Sequence, residues 1–392
     1  MNYILFEKEI ELLSPLSDLH ASFELMTGAF NNIDRLINSI SSNDSIQLYV
    51  RPEIEDLIKA KYSNFEVNPE YFNPGVYLNG NCLWYPDHIA SIKNNRSYSN
   101  SNGLIAFQAD VKISIGDIPH YIDQQSQVST KLDSVISISY IWDIFDILEQ
   151  SINLDLELIN ISKQGDIHPS CIFINDENII INNDVKISAG VILDASEGPI
   201  IIDSDSIVDI GSLIKGPAYI GKNTKLNPGS KIIGPVSIGP SCKVGGEVED
   251  SVIQGFSNKQ HDGFLGHSYI GEWVNLGAGT NTSDLKNNYS NIRLYTDKNN
   301  FIDTDKMFIG SVIGDFTRTA IATKLNTGTV IGVGANLFES GFQDKYVSSF
   351  SWGRKDRIGL NRFIESSKKA MSRRDYAMPE SLKQRLIKLY KK

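Results

Sequence analysis

The stretch SNKQHDGFLGHSYIG at 257–271 holds the side chains best suited to proton transfer in this chain. His261 is followed by Asp262 and flanked by glycines, and a neutral imidazole is the base that works near pH 7. Because the stretch interrupts a region that otherwise repeats regularly, we interpret it as a loop that presents His261 as a general base. Lys259 could bind a phosphate group as a point charge, whereas His267 is interpreted as structural.

Disulfide chemistry is not indicated. Cys82, Cys171 and Cys242 are widely spaced and form neither a disulfide framework nor a CxxC clip, which points to a reducing compartment. The first residues reach acidic side chains at once and lack the pattern of a signal peptide. There is no run of eighteen or more apolar residues. We therefore expect a cytoplasmic protein without a membrane span.

The middle of the chain repeats with a period of six residues. An aliphatic residue recurs every six positions, and a small or medium residue follows each one after four. The aliphatic positions are Ile202, Val208, Ile214, Ile220, Leu226, Ile232, Ile238 and Val244. This period fits coils of three short strands joined by tight turns, with the aliphatic residues pointing into a narrow prism. The same beat returns at 270–276 and 313–337.

The regions before and after the repeats have different residue patterns. Residues 1–155 alternate strand-like runs with helical patterns, which is typical of an α/β domain, and an amphipathic helix predicted over 134–150 closes it. The repeats define a second domain at 156–345, and a tail at 346–392 is predicted to form two short helices.

Charge is distributed unevenly along the chain. The net charge is −10, yet residues 354–392 hold 13 Lys and Arg against 4 Asp and Glu. The acidic body argues against nucleic-acid binding. The basic tail is either a solvated helix surface or a contact for a phosphate-bearing ligand or an acidic neighbour.

Three stretches carry a resemblance to a known family: 245–295, 326–338 and SSFSWGR at 348–354. They resemble the left-handed β-helix acyltransferases, and most closely the alternative bacterial form of the bifunctional N-acetylglucosamine-1-phosphate uridylyltransferase/glucosamine-1-phosphate N-acetyltransferase. The resemblance covers most of 165–355 and extends weakly over the N-terminal region. It implies an α/β sugar nucleotidyltransferase-like domain, then a left-handed parallel β-helix of hexapeptide repeats, then a short helical C-terminal tail.

The resemblance also implies a function. The family transfers an acetyl group from acetyl-CoA to the amine of an amino-sugar phosphate, with glucosamine 1-phosphate as the first candidate here, in UDP-N-acetylglucosamine and cell-envelope sugar synthesis. Such enzymes are homotrimers with sites in the grooves between adjacent prisms. The loop of one subunit would deliver His261 to the groove of its neighbour as the catalytic base, and no metal is implied there.

The resemblance assigns further site residues. These are Lys259, Asn275 and Asn288 for the substrate, and Ala278, Tyr289, Ser311 and Thr327 for acetyl-CoA. Backbone N–H groups of LGAGT at 276–280 are suited to an oxyanion. Each of the assigned residues could equally be a corner residue of the prism.

The sequence departs from the family at four positions. Asn227 stands where the better-known branch has an Arg that grips the sugar phosphate, and Phe316 replaces the His of a GDH motif. These differences leave the acceptor sugar open. In the N-terminal region, His20 and Met26 stand where arginines are usual, and no Gly-rich loop for a triphosphate is present. Nucleotidyl transfer with UTP or another NTP and Mg²⁺ therefore remains open beside a degenerate or structural role.

Two rival functions share the predicted fold. A zinc enzyme resembling the γ-carbonic anhydrases would need three histidines, and the repeats offer only His261 and His267 beyond the early His168. The other alternative is a non-enzymatic trimeric β-helix scaffold, or a nucleotide-sugar-binding protein with a degenerate N-terminal domain.

Overall fold

The computed structural model describes residues 1–93, 96–159 and 164–392. A mixed sheet is followed by a three-sided β-helix and then by two C-terminal helices, so the fold class predicted from the sequence is confirmed. None of the helices in these ranges combines the length and apolar character that a bilayer crossing requires.

The N-terminal sheet has seven strands in the order β3-β2-β1-β4-β6-β5-β7. Strand β1 is parallel to β2 and β4, whereas β6 is antiparallel to both of its neighbours. The strands are β1 Asn2–Phe6, β2 Ser45–Tyr49, β3 Glu66–Val67, β4 Gly75–Asn79, β5 Ser97–Asn100, β6 Gly103–Ala109 and β7 Thr130–Lys131. An antiparallel pair, Tyr71–Phe72 with Ile113–Ser114, lies outside the sheet.

Helices cover the sheet because its central strand is apolar on both faces. In β1, Tyr3 and Leu5 enter one apolar cluster while Ile4 and Phe6 enter another. The helices of this region are α1 Asn32–Ser39, α2 Glu55–Lys61, α3 Pro86–Ser91, α4 Ile118–Gln127 and α5 Asp143–Asp155. Short 3₁₀ turns occupy Glu11–Leu13, Leu16–Asp18, Ser22–Glu24, Ile115–Asp117, Leu156–Leu158 and Asp176–Asn178. The helix predicted over 134–150 is α5, which begins at Asp143.

Three parallel sheets form the sides of the β-helix. Sheet I comprises Ile179–Ile181, Ile200–Ile202, Ala218–Ile220, Val236–Ile238, Val252–Gly255, Tyr269–Glu272, Ser311–Ile313, Thr329–Ile331 and Tyr346–Val347. Sheet II comprises Asp166–Ile167, Lys186–Ile187, Ile207–Val208, Lys225–Leu226, Lys243–Val244 and Asn258–Lys259, and bridges through Asn275 continue it to Arg318–Thr319, Asn336–Leu337 and Ser351–Trp352. One antiparallel strand, Asp356–Arg357, ends it. Sheet III comprises Ile172–Ile174, Ile192–Asp194, Leu213–Lys215, Lys231–Ile233, Glu247–Glu249 and Phe264–Gly266, beyond which Asn281–Thr282 pairs with Lys324–Leu325.

The aliphatic residues of the six-residue period fill the interior of the prism, as predicted. All eight of them, from Ile202 to Val244, are buried in one continuous cluster. Residues that are 18 apart in sequence, such as Ile220 and Ile238, pair directly between coils. Each fully buried aliphatic side chain contributes roughly 1.5–3 kcal/mol relative to exposure, so the ladder of side chains stabilises the stack along its whole length.

The interpretation of 257–271 as an inserted loop is wrong. Asn258–Lys259, Phe264–Gly266 and Tyr269–Glu272 are regular strands of the prism, and Ile253 pairs with Ile270 only 17 residues later. The true insertion comes in the next coil, where Ile270 pairs with Ile313. It carries the antiparallel hairpin Arg293–Tyr295 with Phe301–Asp303.

A polar residue at an inward position hid this regularity from the sequence. Lys259 pairs with Val244, and it lies six residues from both Ile253 and Leu265. It therefore occupies an interior position in the period, where an aliphatic residue was expected.

The predicted pair of C-terminal helices is confirmed. They are α6 Leu360–Ser372 and α7 Glu380–Lys391, with Pro379 immediately before the second. Phe363 and Leu386 are buried against aromatic corners of the last coils.

The N-terminal domain packs on the outward face of sheet I. An apolar cluster joins α5 and the loop after β1 to outward side chains of several coils. Those side chains are Ile180, Ile201, Val252, Tyr269, Val312 and Val330. A buried ion pair supports this side of the domain, since Arg35 Nε donates to Asp155 Oδ1 at 2.7 Å and Nη2 donates to Oδ2 at 2.9 Å.

Polar contacts join the two domains beneath this cluster. The side chain of Gln254 accepts from the Met26 N–H at 3.0 Å and donates to the Glu24 carbonyl at 2.7 Å. His20 Nε2 lies 2.8 Å from Asp315 Oδ2, and both side chains are buried. Burial alone would lower the pKa of His20, but the Asp315 carboxylate raises it to about 9.

This pair predicts a pH-dependent stability. The pKa of an unfolded histidine is about 6.5, so the pair contributes fully below that pH, and its contribution is lost as the pH rises through about 9. The loss is on the order of 3 kcal/mol. Urea unfolding between pH 6 and 9.5 should show this decrease in the wild type, and the His20→Gln variant should lack it. The same decrease of unfolding free energy with pH in both proteins would contradict the prediction.

Candidate active site

A cavity of about 390 Å³ lies between the outward face of sheet II and the C-terminal end of α6. Its lining residues are Lys243, Phe256, Asn258, Gln260, Trp273, Asn275, Arg318, Ser366, Lys369, Ala370, Arg373 and Arg374. Five of them are Lys or Arg and none is Asp or Glu, so the lining carries positive charge that no carboxylate of the lining balances. We call it the basic cavity.

Strand geometry aligns the floor of the basic cavity. Successive side chains of a strand point to opposite faces. In each two-residue strand of sheet II the second residue points into the prism, so the first residue faces outward. Bridges place Asn258, Asn275 and Arg318 on successive coils. Neighbouring parallel strands lie about 4.8 Å apart, which brings these side chains into one row with Lys243.

Among the described residues, no carboxylate pairs with the cations that line the basic cavity. Within the described parts of the chain, no acceptor lies in hydrogen-bonding range of the Arg318 guanidinium, and burial lowers its pKa. Burial and the neighbouring Arg374 and Arg373 also lower the pKa of Lys243. In both residues the lowered pKa means that the charged form is less stable in this cavity than in water. A bound anion would relieve both effects.

Arg374 and Asn258 connect the tail to the floor of the cavity. The Arg374 guanidinium donates to the Ser241 carbonyl, and its Nη2 donates to Asn258 Oδ1 at 2.6 Å. Asn258 Nδ2 in turn donates to Asn275 Oδ1 at 3.2 Å. The side chain of Asn275 is exposed, and its Nδ2 group has no acceptor among the described residues, so it is available to a ligand.

His261 lies at the corner where sheet II turns into sheet III. Its side chain is exposed and has no hydrogen-bond partner in the described chain. The residue before it, Gln260, lines the basic cavity. Two predicted residues, His261 and Asn275, therefore lie on the same side of the prism, next to or within one cavity.

Lys259 faces the opposite way. It is 4% exposed, and its ammonium group donates to the Gly245 carbonyl at 2.8 Å and to the His261 carbonyl at 2.9 Å. Burial lowers its pKa to about 8. This placement does not favour the predicted contact with a substrate phosphate, because strand alternation directs the side chain into the prism. Its hydrogen bond supports the backbone of His261 instead.

Ala278 offers a free backbone donor. It lies half-buried in the turn after Asn275, where its carbonyl accepts from the Ala322 N–H at 2.7 Å. Within the described residues its own N–H has no acceptor. This is the state that an oxyanion donor requires before substrate binds.

The other predicted residues are not brought to the basic cavity. Ser311 and Thr327 are buried, and the Ser311 hydroxyl has no hydrogen-bond partner among the residues that the structure describes. Asn288 and Tyr289 are exposed on the insertion, where Asn288 Oδ1 accepts from the Ser290 N–H at 3.2 Å. Their roles toward acetyl-CoA or substrate stay predictions.

Sequence reasoning missed the cations of this cavity. Arg318 occupies a repeat position, and only the bridge through Asn275 brings it beside Lys243. The excess of Lys and Arg in the tail was the available signal for Arg373 and Arg374. The end of α6 places both of them in the lining.

The N-terminal domain presents a different electrostatic picture. The loop after β1 is buried against sheet I from Leu19 to Ala29, which includes His20 and Met26. A second cavity, of about 550 Å³, is lined by Glu9, Asp143 and Asp146 and by no Lys or Arg. No group of three or more His, Cys, Asp or Glu that could hold a metal occurs within the described residues.

Comparisons with known proteins support both halves of the predicted resemblance. Residues 3–164 match the family model described as sugar nucleotidyl transferase. The chain is 34% identical over 144 residues to a bifunctional sugar-1-phosphate nucleotidylyltransferase/acetyltransferase of Sulfurisphaera tokodaii, a match that covers 36% of each protein. It is 33% identical over 105 residues to the bifunctional protein GlmU of Herminiimonas arsenicoxydans, covering 27% of this chain and 21% of that one. The matches thus span about a third and a fifth of these relatives' lengths.

Two solved structures align over the longer part of the chain. A Bacillus cereus protein described as a candidate acetyltransferase is 13% identical with a TM-score of 0.25, covering 59% of this chain and all of its own. The UDP-N-acetylglucosamine acyltransferase of Francisella novicida is 15% identical with a TM-score of 0.24, covering 57% of this chain and 76% of its own. At these scores neither carries an argument. The curated relatives and the family model confirm the resemblance: this chain, whose residues 3–164 match the sugar nucleotidyl transferase model, is similar to the bifunctional sugar-phosphate nucleotidyltransferase/acetyltransferases.

Proposed function

We propose that this chain is an acetyl-CoA-dependent N-acetyltransferase that acts on an amino-sugar phosphate, with glucosamine 1-phosphate as the first candidate acceptor, in nucleotide-sugar synthesis. The observation that carries the proposal is the basic cavity, in which Arg318 and Lys243 have no carboxylate beside them. A phosphate-bearing substrate supplies the missing charge, and His261 lies at the neighbouring corner.

Each part of the reaction has a candidate group. The phosphate lies among the cations, and the free amide of Asn275 donates to a sugar hydroxyl. The amine nitrogen attacks the thioester carbonyl of acetyl-CoA, so that a C–N bond forms and the C–S bond breaks. His261 takes the proton from the amine and can return it to the leaving thiolate. The Ala278 N–H donates to the oxyanion.

The exposure of His261 supports assembly with further copies of the chain. A general base in open solvent gains little from its surroundings, whereas a neighbouring prism would exclude water from it and supply the other wall of the site. We therefore include a homotrimer in the proposal. Asn288, Tyr289, Ser311 and Thr327 keep their proposed roles toward substrate and coenzyme in that assembly.

The basic cavity should bind inorganic phosphate. We expect phosphate to raise the midpoint of thermal unfolding and Arg318→Gln to weaken its affinity about tenfold to a hundredfold, because a charge-assisted hydrogen bond contributes roughly 1.5–3 kcal/mol. Lys186→Gln is the control, because Lys186 also lies on sheet II but three coils before Lys243, outside the basic cavity. Titration calorimetry of the three proteins measures the effect. Equal affinities would remove the cavity from the proposal.

Substitution of His261 tests the chemistry. Thiol release from acetyl-CoA in the presence of glucosamine 1-phosphate and related amino-sugar phosphates should fall about 10²- to 10⁴-fold in His261→Ala, because the general base is lost. His168→Ala is the matched control, since His168 is also an exposed histidine of the prism. Unchanged release, or no release by the wild type with any acceptor, would favour the scaffold or nucleotide-sugar-binding alternative.

Nucleotidyl transfer is the second candidate because of the family-model match at 3–164. The structure does not favour it: the arginines usual in the family are replaced, and His20 is paired with Asp315 inside the domain interface. The open cavity near β1 is lined by carboxylates, which repel a triphosphate.

We expect no pyrophosphate release from UTP, Mg²⁺ and a sugar 1-phosphate, and none with the other NTPs. A coupled pyrophosphate assay on the wild type measures this directly. The Asp143→Asn variant is its control, because any true activity in the acidic cavity should change with that carboxylate. Release that requires both Mg²⁺ and Asp143 would overturn this expectation.

A further inference from the structure

A separate cavity of about 330 Å³ lies on the other side of the aromatic corner. The end of α2, three corner residues of the prism and the segment between α6 and α7 form its walls. Its lining includes His20, Phe256, Glu272, Trp273, Phe316 and Tyr376. We call it the aromatic cavity. Phe256 and Trp273 also line the basic cavity and form the wall between the two.

The aromatic wall is built at a conformational cost. Phe256, Trp273 and Phe316 occupy one corner of successive coils in the left-handed region, with φ of 53°, 60° and 60°. Earlier coils use residues that tolerate this conformation at the same corner: Asp184, Asp205, Asn223 and Ser241. Bulky residues there are outliers, and each costs on the order of 1 kcal/mol or more. Backbone strain of this kind is concentrated at functional sites, so we infer that these aromatic side chains have a functional role.

The rings form one continuous stack. Phe256 and Trp273 are parallel, with centroids 4.6 Å apart, and Phe316 follows Trp273 at 6.4 Å. The ring of Tyr376, from the segment after α6, packs edge-on against Phe256, with ring centroids 4.8 Å apart. The cavity thus has a rigid apolar side.

The opposite side carries one carboxylate without a partner. His20 is paired with Asp315, and Lys61 Nζ lies 2.6 Å from Glu24 Oε1. Glu272 lines the cavity, and within the described residues its side chain has neither a hydrogen bond nor an ion pair. Burial raises the pKa of Glu272, because its charge is poorly solvated. The lining itself holds two carboxylates and two cations; the buried Glu24 behind it brings the cluster to three carboxylates against two cations.

We propose that the aromatic cavity binds a compact organic cation, with its apolar body against the ring stack and its ammonium group on Glu272. The volume suits a small molecule, and a single positive charge balances the excess carboxylate. An anionic ligand is disfavoured by the same excess. The basic cavity is lined by five cations and no carboxylate, so it favours anions rather than cations, and this inference stands apart from the proposed acetyl transfer.

Three probes of nearly equal shape test the proposal on the full chain. They are 2-phenylethylammonium, 2-phenylethanol and 3-phenylpropionate, measured by titration calorimetry at neutral pH. We expect one site per chain and an affinity for the ammonium about tenfold or more above that for the alcohol, with no binding of the carboxylate. Equal affinities for ammonium and alcohol, or tighter binding of the carboxylate, would overturn it. This comparison needs no variant.

Two variants locate the site. Glu272→Gln keeps the shape of the side chain and should reduce the preference for the ammonium over the alcohol to about twofold or less. Glu197→Gln is the control, because it removes a carboxylate that is exposed at the far end of the prism. If the preference survives in Glu272→Gln, or is lost equally in both variants, the ammonium binds elsewhere on the acidic surface and the proposal fails.

Discussion

The constraint on which the structure depends is the stacking of aliphatic side chains inside a narrow prism. Each coil must place its inward residues directly over those of the coil before, as Ile202, Ile220 and Ile238 do. Because inward and outward residues alternate, this requirement leaves the outward row of every sheet free to vary. Sheet II uses that freedom for cations and amides, and sheet I uses it for an apolar surface that receives the N-terminal domain.

The docking of that domain changes what it can do. In a sheet of this kind the loop after β1 would be the natural place for a triphosphate. Here the loop lies between the domains, held by Gln254 and by the pair of His20 with Asp315. A buried charge must be paired to be tolerated, and the replacement of two arginines accords with a loop that has exchanged ligand contacts for an interface. We therefore expect this loop to serve as a contact between the domains rather than as a triphosphate site.

The C-terminal tail gives the β-helix its two cavities. It lies beside a corner where polar residues give way to Phe256, Trp273 and Phe316, and it divides the space there into a basic part and an aromatic part. Arg374 connects the end of α6 to Asn258 at the floor of the basic cavity, and Phe256 and Trp273 form the wall between the cavities. The charged side chains that line the basic cavity are all Lys or Arg, whereas charged side chains of both signs line the aromatic cavity.

The sequence by itself determined the prism, because a six-residue period of buried aliphatics has no other compact solution, and it also predicted the α/β region and the two tail helices. The prediction from sequence failed where a polar residue occupied an inward position of the period. Lys259 made a regular coil look like a loop, and the real insertion after Thr282 passed unnoticed.

Only the tertiary structure decided which outward residues meet. An insertion separates Arg318 from Asn275 by 43 residues in the chain, yet the two are adjacent in space because their coils stack directly on each other. The side chains of Glu272 and His20 share a cavity only because two domains pack together. A local pattern can specify burial, since burial repeats along the chain, but the neighbours of a surface charge depend on how separate segments stack.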